Sequence, residues 1–455
     1  MPRIDANRTG PFRPGIAEAE IESINYDGLG VAHVNGKATF IEGALPGERV
    51  RFRVLNRGKS YDTGLTIEVL RASADRVTPR CVYFGVCGGC SLQHLRSEAQ
   101  LPAKQQVLRE TLARIGKTSP EYWLPPLTGP QWHYRRKARL GVRVVDKKGG
   151  AIIGFREKRR SYLTPLASCE VLHEPVSRLL PALRDLINSL STPNRIPQIE
   201  VAVGDSASDE TGGTITFVVR HLVPLTDADD ESLADFARAH GVRIFRQPGR
   251  PDRLVPVWPK NPEPLCYRMP EFDVALEFAP ADFVQVNAEL NRKMIGQAIS
   301  LLEPQPGERI LDLFCGLGNF TLPLARRAGS VVGIEADEAL IEKGRQNAIR
   351  NQLGNVEFHV ADLHQSGGPA PWGEAVFDKW LLDPPRTGAI EVLKRLPAEG
   401  GPGRILYVSC NPGTLARDTE LLVRVKGYRL KAAGVMDMFP QTSHVEAMAL
   451  FERPA

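Results

Sequence analysis

Three groups along the chain could do chemistry together: a thiol, a carboxylate and a glycine turn. Cys410 stands in Ile405-Leu-Tyr-Val-Ser-Cys-Asn-Pro412, where an apolar run leads into the thiol and Asn-Pro then stops the strand. That puts the sulfur at the carboxyl lip of a sheet, where open α/β folds hold their ligands. Upstream, Asp312-Leu-Phe-Cys-Gly-Leu-Gly318 offers glycines that let the backbone approach a nucleotide-like cofactor closely. Downstream, Glu446 in Ser443-His-Val-Glu446 is a candidate base. A nucleophilic thiol, a base and a cofactor loop suit covalent group transfer to a carbon that is a poor nucleophile by itself.

The elements that must position these groups follow from residue 290 onward, where helices and strands alternate as in a doubly wound parallel sheet. Strands are expected at Arg309–Phe314, Val331–Glu335, Val356–Val360, Lys379–Asp383 and Ile405–Ser409, with Val445–Phe451 closing the chain. A dinucleotide fold would want a third glycine where Thr321 stands. Glu335 ends the second strand, placed to accept hydrogen bonds from ribose hydroxyls, and Asp362 follows the third, placed near an adenine. Acids at the ends of three successive strands favour S-adenosylmethionine over a dinucleotide. Asp383-Pro-Pro-Arg386 ends the fourth. Amino-methylating enzymes usually carry an aromatic residue at the last of these positions, so Arg386 argues against methylation of nitrogen. Carbon-5 of uracil fits instead: a thiolate adding to carbon-6 makes an enolate nucleophilic at carbon-5, and the carbon-5 proton must then leave to a positioned base. Arg386 is a nearby donor for that enolate.

The first half of the chain is different in charge and pattern. Residues 1–270 carry 39 Lys and Arg against 29 Asp and Glu, and residues 271–455 carry 19 against 24. A basic half on a mildly acidic half suits a polyanion-binding part joined to a catalytic part. Residues 1–13 read as a flexible basic tail. Residues 14–72 read as a small five-stranded barrel with an Asn35-Gly36 hairpin, its outer face carrying Arg49, Arg51 and Arg53 with Lys59 nearby. That segment resembles a TRAM domain, an RNA-binding module of the OB type. Residues 73–270 read as a central mixed α/β domain, whose 99–116 helix could pack on the catalytic part, residues 271–455. Two basic strings with interleaved aromatics, Tyr134–Arg139 and Arg156–Arg160, could hold phosphates and stack bases. No apolar run reaches the roughly 18 residues of a membrane span, and the first residues lack a signal peptide's apolar core. A cytoplasmic monomer is expected.

Cys81-x5-Cys87-x2-Cys90 lies in a glycine-rich loop, and Cys169 follows as a fourth cysteine. This is the pattern of a metal or iron–sulfur site, and the spacing leaves zinc and a four-iron cluster equally open.

Taken together, Phe283-Val-Gln-Val-Asn287, Asp312–Asn319, Asp383-Pro-Pro-Arg386, Ser409-Cys-Asn-Pro412 and His444-Val-Glu446 resemble the RNA uracil-C5 methyltransferase family over nearly the whole chain. The resemblance implies an α/β fold with a C-terminal Rossmann-like methyltransferase domain. It implies that Cys410 is the nucleophile and Glu446 the base, and that Gln285, Phe314, Asn319, Glu335, Asp362 and Asp383 contact S-adenosylmethionine. It turns the open metal question toward a [4Fe–4S] cluster on Cys81, Cys87, Cys90 and Cys169, with a structural role. Barrel and cluster together resemble the branch acting on 23S ribosomal RNA, free or partly assembled. Two other functions compete: transfer-RNA methylation at the same carbon, and a non-catalytic iron–sulfur RNA-binding protein that keeps a methyltransferase shell. A cytosine-C5 enzyme would typically carry Pro-Cys where Asp383-Pro-Pro-Arg386 stands.

Overall fold

The computed structural model describes residues 15–206, 213–249, 253–366, 370, 372–373, 375–397 and 400–454, so the basic tail read over residues 1–13 lies outside the described residues. The first body is a barrel of β1 (Ile16–Glu20), β2 (Ser23–Ile24), β3 (Gly30–Val34), β4 (Lys37–Glu42), β5 (Arg49–Arg57) and β6 (Asp62–Arg71). Its strand order is β1-β5-β6-β4-β3-β2, so the first and second strands in the chain lie at opposite ends. They are halves of one bent strand, and the bend at Ile21 and Glu22 closes the barrel and leaves no long open edge. Asn35 and Gly36 both take positive φ, 53° and 79°, as a tight hairpin turn requires. Alternation along β5 buries Val50, Phe52 and Val54 and turns Arg49, Arg51 and Arg53 outward.

That arginine row differs from the free basic face the sequence suggests. Glu18 on the adjacent strand β1 accepts hydrogen bonds from Arg49 (3.0 Å) and Arg51 (2.9 Å), and Glu68 also pairs with Arg51. Exposed pairs of this kind contribute little to stability. One pair is better placed. Glu48 is fully buried and accepts from the backbone N–H of Leu45 and Ser73 and from the Arg76 guanidinium. Burial alone would raise its pKa, but these donors hold the carboxyl below its usual range and tie the barrel to the segment that follows.

That segment gives α1 (Ser97–Arg114) and β7 (Tyr122–Trp123) to the C-terminal body rather than to the central one. Leu101, Val107, Leu108 and Leu112 of α1 share a core with Tyr407, Leu415, Ala416 and Leu422. The span read as central, 73–270, is therefore split in space. A second sheet follows, from β8 (Lys137–Val145), β9 (Gly150–Gly154), β10 (Gln198–Gly204), β11 (Thr214–His221), β12 (Arg243–Pro248) and β13 (Val255–Trp258), in the order β13-β12-β11-β10-β8-β9. The helices α2 (Glu174–Ser189) and α3 (Asp227–His240) bury Leu180, Leu183, Ile187, Leu233 and Ala237 in its core. A hairpin, β14 (Leu265–Met269) and β15 (Val274–Phe278), leads on to the C-terminal body.

The C-terminal body runs α4 (Ala288–Leu302), β16 (Arg309–Leu313), α5 (Thr321–Ala325), β17 (Ser330–Glu335), α6 (Glu338–Arg350), β18 (Val356–Val360), β19 (Lys379–Leu382), α7 (Ile390–Lys394), β20 (Arg404–Ser409), α8 (Pro412–Arg424), β21 (Arg429–Met436) and β22 (Glu446–Glu452). Its sheet order is β18-β17-β16-β19-β20-β22-β21-β7. β16 to β20 are parallel, and β22 inserts antiparallel between β20 and β21. Strand order reverses between β16 and β19, which is where such sheets open a ligand crevice. Behind the crevice Lys104 of α1 and Asp437 form a buried ion pair, Nζ to Oδ1 2.7 Å, with side chains 2% and 1% exposed. Removing either partner would strand a buried charge at a cost of about 3–5 kcal/mol. Among the described residues no helix is long and apolar enough to cross a membrane.

Candidate active site

Sheet register alone brings thiol and carboxylate together. β20 and β22 pair down to Ser409 opposite Ala447, so Cys410, the first residue past β20, stands beside Glu446, the first of β22. α8 starts immediately after the thiol. Asn411 caps it by accepting from the Gly413 N–H (3.0 Å), and Pro412 at the first turn has no donor to waste. Asp383 is fixed at the end of β19 by its N–H, which donates to the Leu313 carbonyl (3.2 Å).

The glycine turn after β16 is wound by three positive φ values, Phe314 at 66°, Gly316 at 56° and Gly318 at 100°. A side chain is strained in that region, so Phe314 is a local outlier held by its surroundings, as occurs at ligand clamps. Glu335 closes the turn by accepting from Gly316 N (3.3 Å). Gln285 is carried by a segment pinned just after it: Arg136 N donates to the Val286 carbonyl (2.9 Å), and the Asn287 side chain caps α4. Asn319 and Asn291 exchange side-chain hydrogen bonds of 2.9 and 3.1 Å.

Gln285, Phe314, Asn319, Glu335, Asp362, Asp383, Cys410 and Glu446 all line one cavity of about 640 Å³. The same walls contain residues that sequence reasoning missed, Asn291, Tyr267 and Phe439, and Arg136, which the sequence reads only as part of the basic string Tyr134–Arg139. Asn291 had a signal, since it lies one helical turn past the Phe283–Asn287 motif. Tyr267 and Phe439 come from distant segments and had none.

Electrostatics inside the cavity are dominated by desolvation. Burial pushes Cys410 up to about 12, Glu446 and Asp383 add to the shift, and Arg386 opposes it. Glu446 rises to about 8, through burial first and the Asp383 charge second, with Lys104 and Arg386 pulling down. Asp383 rises to about 7 by burial. Asp312, fully buried under the turn and bonded by the Thr321 hydroxyl (2.5 Å), also rises to about 7 for the same reason. At neutral pH the thiol is protonated and the carboxylates near it compete for protons. Arg386 donates to His444 Nδ1 (3.1 Å), and burial with that guanidinium drives the imidazole pKa down to about 4, so His444 is neutral.

A wider cleft of about 1120 Å³ meets this cavity at Phe439 and His444, which line both. Its walls come from the barrel, the cysteine loop and the Arg156–Arg159 string, with Arg76, Arg135, Arg156, Lys158 and Arg159 facing it. The two basic strings divide. Arg135, Arg156, Lys158 and Arg159 line the cleft, Arg159 while paired with Glu42, whereas Arg136 pairs with Asp205 and Arg139 with Glu200.

Cys81, Cys87, Cys90 and Cys169 line a small cavity with Phe84, Phe155 and Leu166. All four are free thiols. Gly89 N donates to Cys87 Sγ (3.4 Å). Burial raises Cys90 to about 12 and Cys169 to about 11. Among the described residues no group of three or more His, Cys, Asp or Glu closes on a point where a single metal ion would sit.

Three family descriptions match the chain: a TRAM domain over residues 16–56, a methyltransferase domain over 304–411 and tRNA (Uracil-5-)-methyltransferase over 373–454. In fold it is similar to the Pyrococcus abyssi tRNA (uracil-54, C5)-methyltransferase solved with S-adenosyl-L-homocysteine, with TM-score 0.70 and 26% identity over 96% of this chain and all of that one. In sequence it is 52% identical to the 23S rRNA (uracil(1939)-C(5))-methyltransferase RlmD of Aromatoleum aromaticum, over 96% of this chain and 99% of that protein. It is 51% identical to the enzyme of the same description from Thiobacillus denitrificans, over 95% and 99%. Half of all residues in common along nearly the whole length, on the same fold, places this chain in the RNA uracil-C5 methyltransferase family, in the branch of the RlmD enzymes.

Proposed function

We propose that the chain methylates carbon-5 of uracil 1939 in 23S ribosomal RNA, using S-adenosylmethionine and a covalent adduct on Cys410, the uracil position being that of its relatives. The observation that carries the mechanism is the side-by-side placement of Cys410 and Glu446 on the wall of the cofactor cavity. S-adenosylmethionine, when bound, supplies an electrophilic methyl group. Phe314, Asn319, Glu335, Asp362, Asp383 and Gln285, which share one cavity, would hold it; the relative solved with S-adenosyl-L-homocysteine supports a cofactor of this kind.

The chain's own groups do the rest. The Cys410 thiol gives its proton to solvent water as its sulfur bonds to carbon-6, and the carbon-5 to carbon-6 pair moves toward oxygen-4 as an enolate. Arg386, set by its bond to His444, is the cation beside that developing charge. After carbon-5 is methylated, the Glu446 carboxylate takes the carbon-5 proton, the double bond re-forms and the thiolate leaves. A carboxyl raised to about 8 is a far stronger base than an ordinary one, which suits removal of a carbon-bound proton.

The wider cleft, whose lining sets Arg76, Arg135, Arg156, Lys158 and Arg159 against Asp27, Glu42, Glu68 and Glu157, is the route for RNA, and its junction with the cavity at Phe439 and His444 is where a uridine taken out of its stack would enter. A base must be extruded to reach the thiol, which favours free or partly assembled RNA over a finished subunit. One chain carries every group, which favours a monomer working in the cytoplasm, where ribosomes are assembled. The four cysteines would hold a [4Fe–4S] cluster. All four line one small cavity, which supports a single group held by the four thiols together. Bound iron would also ionise thiols that burial otherwise keeps protonated. Protein purified without oxygen should be brown and carry about four irons with matching sulfide per chain; zinc alone would refute the cluster.

The transfer-RNA reading keeps support from the 373–454 match and from the archaeal structure. Methyl transfer from labelled S-adenosylmethionine to unmodified 23S rRNA, with unmodified transfer RNA alongside, separates the two. A 5-methyluridine signal confined to one 23S site is expected; a signal on transfer RNA alone would overturn the substrate assignment.

A further inference from the structure

The strand that carries Glu446 is reached through residues 437–445, and the polar backbone of the first part of this loop is held by segments more than 300 positions earlier in the chain. Gln441 sits at its crest, 1% exposed, with a left-handed backbone at φ 67°. Its carbonyl accepts from both Ser91 N and Leu92 N at 3.0 Å. Its N–H donates to Gln100 Oε1 (2.9 Å), and Gln100 Nε2 returns a bond to Gln441 Oε1 (2.9 Å). Two residues on, Ser443 N donates to the Ser91 hydroxyl (2.7 Å). On the other side the Tyr134 hydroxyl bonds the Pro440 carbonyl (2.9 Å) and Lys104 bonds that of Phe439 (3.0 Å). The barrel closes the same joint, since a Cβ at Gly28 would come within 2.9 Å of Ser443 Cβ.

We infer that Ser91, Gln100 and Gln441 are positioning residues: they clamp the loop so that Glu446 meets the carbon-5 proton of the adduct. Ser91 directly follows Cys90, so the clamp is built on the cysteine loop, and ordering that loop orders the base. An Asn or Gly at position 441 would relieve the backbone, but the glutamine side chain there makes two bonds, accepting from Gln100 and donating to the Ser97 hydroxyl, that hold the strained turn closed. The inference rests on Glu446 being the base. Cys410 is carried by a different strand end, β20, so attack on carbon-6 does not depend on the clamp.

Full-length Ser91→Ala and Gln100→Ala proteins, with their metal centre intact, would be compared with wild type and Glu446→Gln on a 23S transcript and labelled S-adenosylmethionine. Two readouts are taken: the rate of first methyl incorporation, and the fraction of enzyme in a denaturant-resistant complex with methylated RNA. In both clamp variants incorporation is expected within about twofold of wild type, while release slows about tenfold and the methylated adduct accumulates. Ser91→Ala removes one hydroxyl from a partly exposed site, so it stays informative if the buried Gln100→Ala folds poorly. Clamp variants that release as fast as wild type, or that lose both steps in parallel, would overturn the clamp provided Glu446→Gln traps the adduct. A Glu446→Gln enzyme that does not trap it would instead overturn the base assignment on which the clamp stands.

Discussion

A Cys410→Ala enzyme should neither methylate RNA nor form a denaturant-resistant complex with it, while still binding S-adenosylmethionine. The expected loss in turnover is about 10⁴-fold or more, the scale seen when a covalent nucleophile is deleted. Carbon-5 of uracil has no route to the methyl group without addition at carbon-6, so no neighbouring group can substitute. The sulfur lies past the end of β20 and is only partly buried, so its removal leaves the sheet core of Leu406, Tyr407 and Val408 intact and should change folding stability little. Cys315→Ala is the contrasting control. That thiol is buried and its residue packs in the core with Phe320 and Phe358, so the expected result is a lower melting temperature with adduct formation retained. Persistence of the adduct in Cys410→Ala would reassign the nucleophile.

Glu446→Gln should do the opposite of Cys410→Ala: it should trap the enzyme on its product. Addition and methylation precede the step that needs the carboxylate, so a methylated covalent complex accumulates while release slows by about 10²–10⁴-fold. The wild-type enzyme should show the same dependence through pH. Glu446 acts deprotonated, and its pKa lies near 8 because burial and the Asp383 charge outweigh Lys104 and Arg386. Release should therefore quicken as pH rises through about 8 and slow below it, so that more methylated adduct is present at pH 6.5 than at pH 9, a window set on either side of that value. Rapid quenching into denaturant at the two pH values measures it. A release rate flat across this range would show that Glu446 is not the titrating base.

How much of this was readable from the chain differs by element, and the reason is distance. β18 runs over Val356–Val360 as the apolar spacing suggests, and β20 starts one residue earlier than read, because apolar runs bounded by Gly, Asn or Pro are local signals. β21 was not read at all. Its Ala432-Ala-Gly-Val-Met436 stretch has neither alternation nor a bounding turn, and it is a strand because β22 and β7 flank it. Strand ends could be read as well, so Cys410, Asp383 and Glu335 could be placed on one lip. Their being in one cavity is a matter of sheet order, which the chain does not spell out. The arginine row of β5 was seen as a free basic face because Glu18 and Glu68 are visible as partners only once the strands pair. The same holds for the base loop, whose anchors Ser91, Gln100, Lys104 and Tyr134 have no sequence signature linking them to residues 437–443.

The most direct test of the covalent account uses a 23S transcript in which uridine is replaced by 5-fluorouridine. Carbon-5 then carries no proton for Glu446 to remove, so addition and methylation proceed but release cannot. The account predicts a stable complex of enzyme and methylated RNA whose digestion leaves the nucleotide on the tryptic peptide Ile405–Arg417, at Cys410. No complex, or a nucleotide on any other residue, would contradict it.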